Sequence, residues 1–124
     1  MITITGEFYS SKRLTMVRSP KTGKFFPMKN KNAYAEYEEF LYQLNARRAE
    51  WEVMKEGKPY PLRVQFKLYR SSKRRFDFIN IIQNIADAMT KSGYWPDDDA
   101  NHFCPVFVPH ETDPTNPRAE IEIL

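Results

Sequence analysis

The chain has 124 residues, 41% hydrophobic, 15% aromatic and 28% charged, with a formal net charge of +3. That is the length of one domain, residues 1–124, with enough apolar material for a core of its own. No apolar run reaches the ~18 residues of a transmembrane helix, and Met1-Ile2-Thr3-Ile4-Thr5 is no basic-then-apolar leader, so a cytoplasmic, non-membrane protein is expected.

In chain order, Ile2-Thr3-Ile4-Thr5 alternates as a half-buried strand does, with Phe8 and Tyr9 extending it. Ser19-Pro20-Lys21-Thr22-Gly23 reads as a hairpin turn between Val17 and Phe25-Phe26. Ala33, Tyr34, Tyr37, Phe40, Leu41, Leu44, Arg48, Trp51 and Met54 form one stripe of a long helix, as core or as partner interface. Asn32 is its expected N-cap, and Gly57 its stop, followed by Pro59 and Pro61. Leu62 to Arg70 alternates as a strand with Arg63, Gln65, Lys67 and Tyr69 on its polar face. A second helix is expected from Asp77 or Phe78 to Lys91, closed by Ser92-Gly93. Phe103 to Val108 is an extended stretch in which Pro105 indicates an edge or a bulge, and Ala119 to Leu124 alternates as a final strand. The order β-hairpin-α-β-α-β-β predicts an α+β domain, a small mixed or antiparallel sheet with two main helices packed on it.

Charge is distributed in blocks. Residues 1–32 carry +6, residues 63–75 carry +6 with no acid, and residues 97–124 carry −6. Basic blocks attract phosphate, and an acidic block can hold a divalent cation, although solvated charge blocks without partners are common. Asp77 and the run Asp97-Asp98-Asp99 supply hard oxygen donors of the kind Mg²⁺ takes. They flank a helix of about 22 Å, so they meet only if the later acids fold back. Lys73-Arg74-Arg75, just before Asp77, suits a DNA backbone. The single cysteine, Cys104, allows no intrachain disulfide and fits a reducing compartment; with two histidines it makes no Cys/His zinc cluster. There is no Gly-rich phosphate loop, and no small-molecule cofactor is expected. Phe8, Tyr9, Phe25 and Phe26, near the basic N-terminal loop, are either core or base-stacking residues.

The stretch Lys73-Arg74-Arg75-Phe76-Asp77-Phe78-Ile79-Asn80, followed by Ala86-Asp87-Ala88-Met89 and by Gly93-Tyr94-Trp95-Pro96-Asp97-Asp98, resembles the RusA-type Holliday junction resolvases. The order of elements agrees along essentially the whole chain. The resemblance implies a small homodimeric α+β nuclease, often carried by phages and prophages, that binds branched DNA and nicks opposing strands with Mg²⁺ or Mn²⁺. Carried over by position, it makes Asp77 and Asp98 the catalytic, metal-binding acids, with Asp97 and Asn80 as further metal ligands. It makes Lys73, Arg74 and Arg75 DNA-binding residues; Lys12 and Arg13 are candidates for the same task. Three positions depart from the family pattern. Ile79 stands where its second acid belongs, Gln83 where it has a functional lysine, and Phe76 where a basic residue is common. An alkane cannot ligate a metal, so two expectations follow: a metal-dependent endodeoxyribonuclease, or a junction-binding protein of the same fold that is weakened or inactive in cutting.

Overall fold

A computed structural model describes residues 1–8, 14–29 and 31–124; for 14–16, 26–29 and 31–34 it describes the backbone alone. The elements are β1 (Ile2–Thr5), β2 (Leu14–Arg18), β3 (Phe25–Lys29), α1 (Lys31–Ala46), α2 (Arg48–Lys55), β4 (Leu62–Arg70), α3 (Phe78–Lys91), β5 (Phe103–Phe107), β6 (Glu111–Thr112) and β7 (Arg118–Ile123). The architecture is α+β, with a mixed sheet and three helices.

The sheet runs β1-β7-β4-β5, with β6 continuing alongside the end of β4. Central β4 pairs antiparallel with β7 and parallel with β5 and β6. Its alternation works as the sequence implies. Leu62, Val64, Phe66 and Leu68 are buried on one face, together with Ile2 and Ile4 of β1 and Ala119 and Ile121 of β7. Arg63, Gln65, Lys67 and Tyr69 occupy the other face.

The helices cover the apolar face. α3 contributes Ile81, Ile82, Ile85, Ala88 and Met89, and the first two helices contribute Phe40, Leu44 and Trp51. Among the described residues of the aromatic stripe, Phe40, Leu44 and Trp51 are core of the single chain, and Tyr37, Leu41 and Met54 are partly buried against it. The expected long helix is two helices, broken at Arg47, whose ψ of 2° departs from helical geometry. The break lets α2 reach the turn after α3. Arg48 Nη1 donates to the Ser92 carbonyl, and the Trp51 indole N–H donates to the Tyr94 carbonyl at 3.0 Å. Tyr94 returns a hydrogen bond from its hydroxyl to the Leu44 carbonyl. Asn32 is not an N-cap, because the helix already includes Lys31. Asp77 does cap α3, and Gly93, with φ of +76°, closes the turn after it. A Cβ on Gly93 would stand 2.7 Å from the Arg48 guanidinium.

β2 and β3 form the expected hairpin as a separate two-stranded sheet, in the register Leu14↔Lys29 to Arg18↔Phe25. The short β6 has no sequence signal; two residues are too few for a period.

Trp51 is fully buried and holds Tyr94 by its N–H. Trp51→Ala is expected to cost about 3–5 kcal/mol through lost contacts and a cavity, measured as a lower urea midpoint at unchanged slope.

Candidate nucleic-acid interface and acidic clusters

The central strand ends in a charge. Arg70 lies on the inward face of β4, two residues after Leu68, and is only 8% exposed. Its Nε meets Glu7 Oε1 at 3.0 Å, and its Nη1 donates to the Phe8 carbonyl. Glu7 also accepts from the Ser71 N–H at 2.9 Å. The guanidinium stacks over the Phe76 ring at 4.4 Å, and the ring of His110 meets Phe76 edge-on. A buried charge has to be paired, and these contacts pair it. They also fix both roots of the loop 71–75, from Ser71 on one side to Phe76 on the other.

On that loop Lys73, Arg74 and Arg75 are exposed, and among the described residues none of them has an acidic partner. They form a free cationic ridge at the C-terminal end of β4. Lys12 and Arg13 lie outside the described residues. Glu7 and Phe8, which lead toward them, are bound at the same strand end.

Asp77 follows the ridge. Its carboxylate caps α3, accepting from the Asn80 N–H at 3.4 Å and from Asn80 Nδ2 at 3.1 Å. Both oxygens are thus engaged by Asn80, so Asn80 sits beside Asp77 as a donor to it. Asp77 lines a shallow recess with Arg75, Phe76, Phe78 and Ile79. Ile79 is 66% exposed and extends an apolar surface over Phe78, Phe107 and Pro109.

Asp97 and Asp98 lie elsewhere. They line a second recess with Tyr37, Asn84, Asp87, Thr90 and Lys91, between α1 and the C-terminal half of α3. The turn they begin enters β5 at Phe103, which pairs with Leu62 at the start of β4. Asp77 follows the end of β4. The 14 residues of α3 span about 21 Å at ~1.5 Å each, and the nine residues of β4 about 26 Å at ~3.3 Å per step. The structure brings Asp77 to Asn80 and Asp98 to Asp97 and Asp87, but it does not bring Asp77 to Asp98. Among the described residues no three His, Cys, Asp or Glu side chains form a group that could hold a metal. Asp77 and Asp98 line separate recesses of the chain.

The electrostatics of the second recess differ from those of the first. Burial, then the hydrogen bond that protonated Asp98 donates to Asp97 and the charge of Asp87, raises the Asp98 carboxyl above its ordinary value. Asp99 is lowered, chiefly by its 2.6 Å contact with His102 Nδ1. His102 is held by Asp99 and packs edge-on against Tyr60.

Two participants outside the expected site carry signals in the sequence. Arg70 falls on the inward period of β4, which marks it as a buried charge in need of an acid. Asp87 lies on the polar stripe of α3 that passes Asn80 and Asn84.

A comparison with protein-family models finds none that matches the chain, and a comparison with curated proteins finds no relative. Among the described residues no helix is long and apolar enough to cross a membrane.

The raised carboxyl of Asp98 has a consequence for stability. The folded chain holds this proton more tightly than the unfolded chain. Stability is therefore lost as pH rises from the ordinary carboxylate value through the raised folded one. Asp98→Asn is expected to raise the unfolding midpoint relative to the parent at pH 7, with the gain vanishing below pH about 3.9. Urea titrations at the two pH values measure this, and a gain independent of pH would remove the electrostatic cause.

Proposed function

We propose that the chain is a homodimeric endodeoxyribonuclease of the RusA type, dependent on Mg²⁺ or Mn²⁺. It acts on branched DNA such as four-way junctions, in recombination and repair within the cytoplasm. The observation that carries the reading is the end of β4. There, three exposed cations, without acidic partners among the described residues, lie on a loop rooted by Arg70 and run directly into Asp77 at the N-terminus of α3. Exposed cations give affinity for the DNA backbone without regard to sequence. A carboxylate next to them is where an ion would stand beside the bound phosphate.

In one chain Asp77 and Asp98 line separate recesses, so an ion held by both would take them from two copies. A homodimer supplies the second copy, and in a symmetric dimer such a contact occurs twice. Two equivalent sites suit symmetric nicking of opposing strands.

A second reading is a junction-binding protein that does not cut. Position 79 favours it, where an exposed isoleucine stands in place of the acid that the resemblance implies.

Nicking of a labelled four-way junction in Mg²⁺ and in Mn²⁺, beside a linear duplex, separates the two readings. The nuclease gives symmetric cuts on the junction alone. Asp77→Asn is expected to lower cutting at least 100-fold, by analogy with loss of an essential charge-stabilising group, and to leave junction binding intact. Binding without cuts in either metal selects the second reading, and a chain that binds no junction at low salt removes both.

A further inference from the structure

The hairpin β2–β3 stands outside the acidic and basic sites described so far. It shares no backbone ladder with the main sheet. Between residues 14 and 29 the chain has Arg18, Lys21, Lys24 and Lys29 and no acid. The side chains of Arg18, Lys21 and Lys24 are exposed, and among the described residues none has an acidic partner. A tight turn gathers them at one end. The Ser19 N–H donates to the Lys24 carbonyl at 2.8 Å, and the Gly23 N–H donates to the Ser19 carbonyl at 2.9 Å. Gly23 takes φ of +70°, and the Arg18 guanidinium lies across it, 3.5 Å from where a Cβ would stand. Arg18 and Phe25 face each other in the last register pair before the turn, and Phe25 is 66% exposed.

This end of the hairpin is shaped against burial in its own protein. Three uncompensated cations would be costly to desolvate, and an exposed phenylalanine beside them gains nothing from water. Both are accommodated by DNA, a polyanion whose major groove also presents the apolar thymine methyl. A two-stranded ribbon is also narrow enough for the ~12 Å major groove of B-form DNA.

We propose that the tip of the β2–β3 hairpin is a second DNA-contacting arm. Arg18, Lys21 and Lys24 contact backbone phosphates while the ribbon lies along the major groove of a duplex arm. This inference rests on the DNA-binding reading above and adds a contact surface separate from the loop 71–75. It commits to B-form DNA, because the major groove of A-form RNA is too deep and narrow for such a ribbon.

The test is a salt titration of binding, using the full chain, a labelled 25-base-pair DNA duplex, a four-way junction with arms of the same sequence, and an RNA duplex of equal length. Two variants are compared with the parent: Arg18→Gln/Lys21→Gln/Lys24→Gln in the hairpin, and Lys73→Ala/Arg74→Ala/Arg75→Ala in the loop. Each lost phosphate contact lowers the slope of log K against log salt by about 0.9. The hairpin variant is expected to lose roughly two to three slope units on both DNA probes, with an unchanged circular dichroism spectrum and unfolding midpoint. Lys21→Glu alone, the mildest change to the fold, is expected to weaken binding in the same direction. A hairpin variant with the parental slope, beside a loop variant that loses its own, overturns the arm and leaves the DNA-binding reading in place. An equal loss on the RNA duplex overturns the groove assignment. A parent that binds none of the probes at low salt removes the DNA-binding reading, and the arm with it.

Discussion

The central strand β4 changes character at its last inward residue, and much of the molecule is arranged around that change. Leu62, Val64, Phe66 and Leu68 need only apolar neighbours, which the helices provide. Arg70 comes next in the same period and needs a partner or water. Glu7 reaches it from the segment after β1, at the opposite edge of the sheet, and the Phe8 carbonyl and the Phe76 ring complete its surroundings. One buried charge thereby holds three separate pieces of chain in one place. A buried pair of this kind adds little net stability compared with well-packed apolar residues, and breaking it is costly. Its value here is positional: it decides where the apolar core stops and where the exposed cations of the next five residues begin.

The elements read from periodicity lie where the residues place them. β4 and α3 are the clearest, because each has a long period and a distinct end signal: the charged loop after Arg70, the Asp77 cap, and Gly93 after Lys91. The α1–α2 region shows what periodicity misses. Its apolar stripe runs on through Arg47 without interruption, so nothing local announces the break. The break answers contacts made by Arg48 and Trp51 to residues more than forty positions later. β6 is set by its neighbour β4 and by no pattern of its own.

The site was partly legible. Spacing alone put the cations beside Asp77, because they are adjacent in sequence and the strand-to-helix turn keeps them together. The relation of Asp77 to Asp98 depends on tertiary geometry. A rigid helix of known rise already limited it, and the fold sets Asp77 beside Asn80 and Asp98 beside Asp97 and Asp87, in separate recesses. The basic character of the hairpin was visible as composition. Its standing apart from the main sheet, which turns that composition into a candidate contact surface, required the topology.

The side-chain amide of Gln43 has a consequence for assembly. It accepts from the Thr5 N–H at 2.8 Å and donates to the Thr5 carbonyl at 2.9 Å, so α1 fills the backbone slot that a further strand would occupy beside β1. The opposite border is closed differently. The Leu62 N–H donates to the His102 carbonyl, which turns the alternate residues 103, 105 and 107 of β5 outward. Of these, the Phe103 N–H is already taken by the Asp99 carbonyl, and Pro105 has none to give. Lateral extension of the sheet is thus discouraged at both borders. A second copy of this chain is left to join through loops, helices or sheet faces rather than by adding a strand to either border.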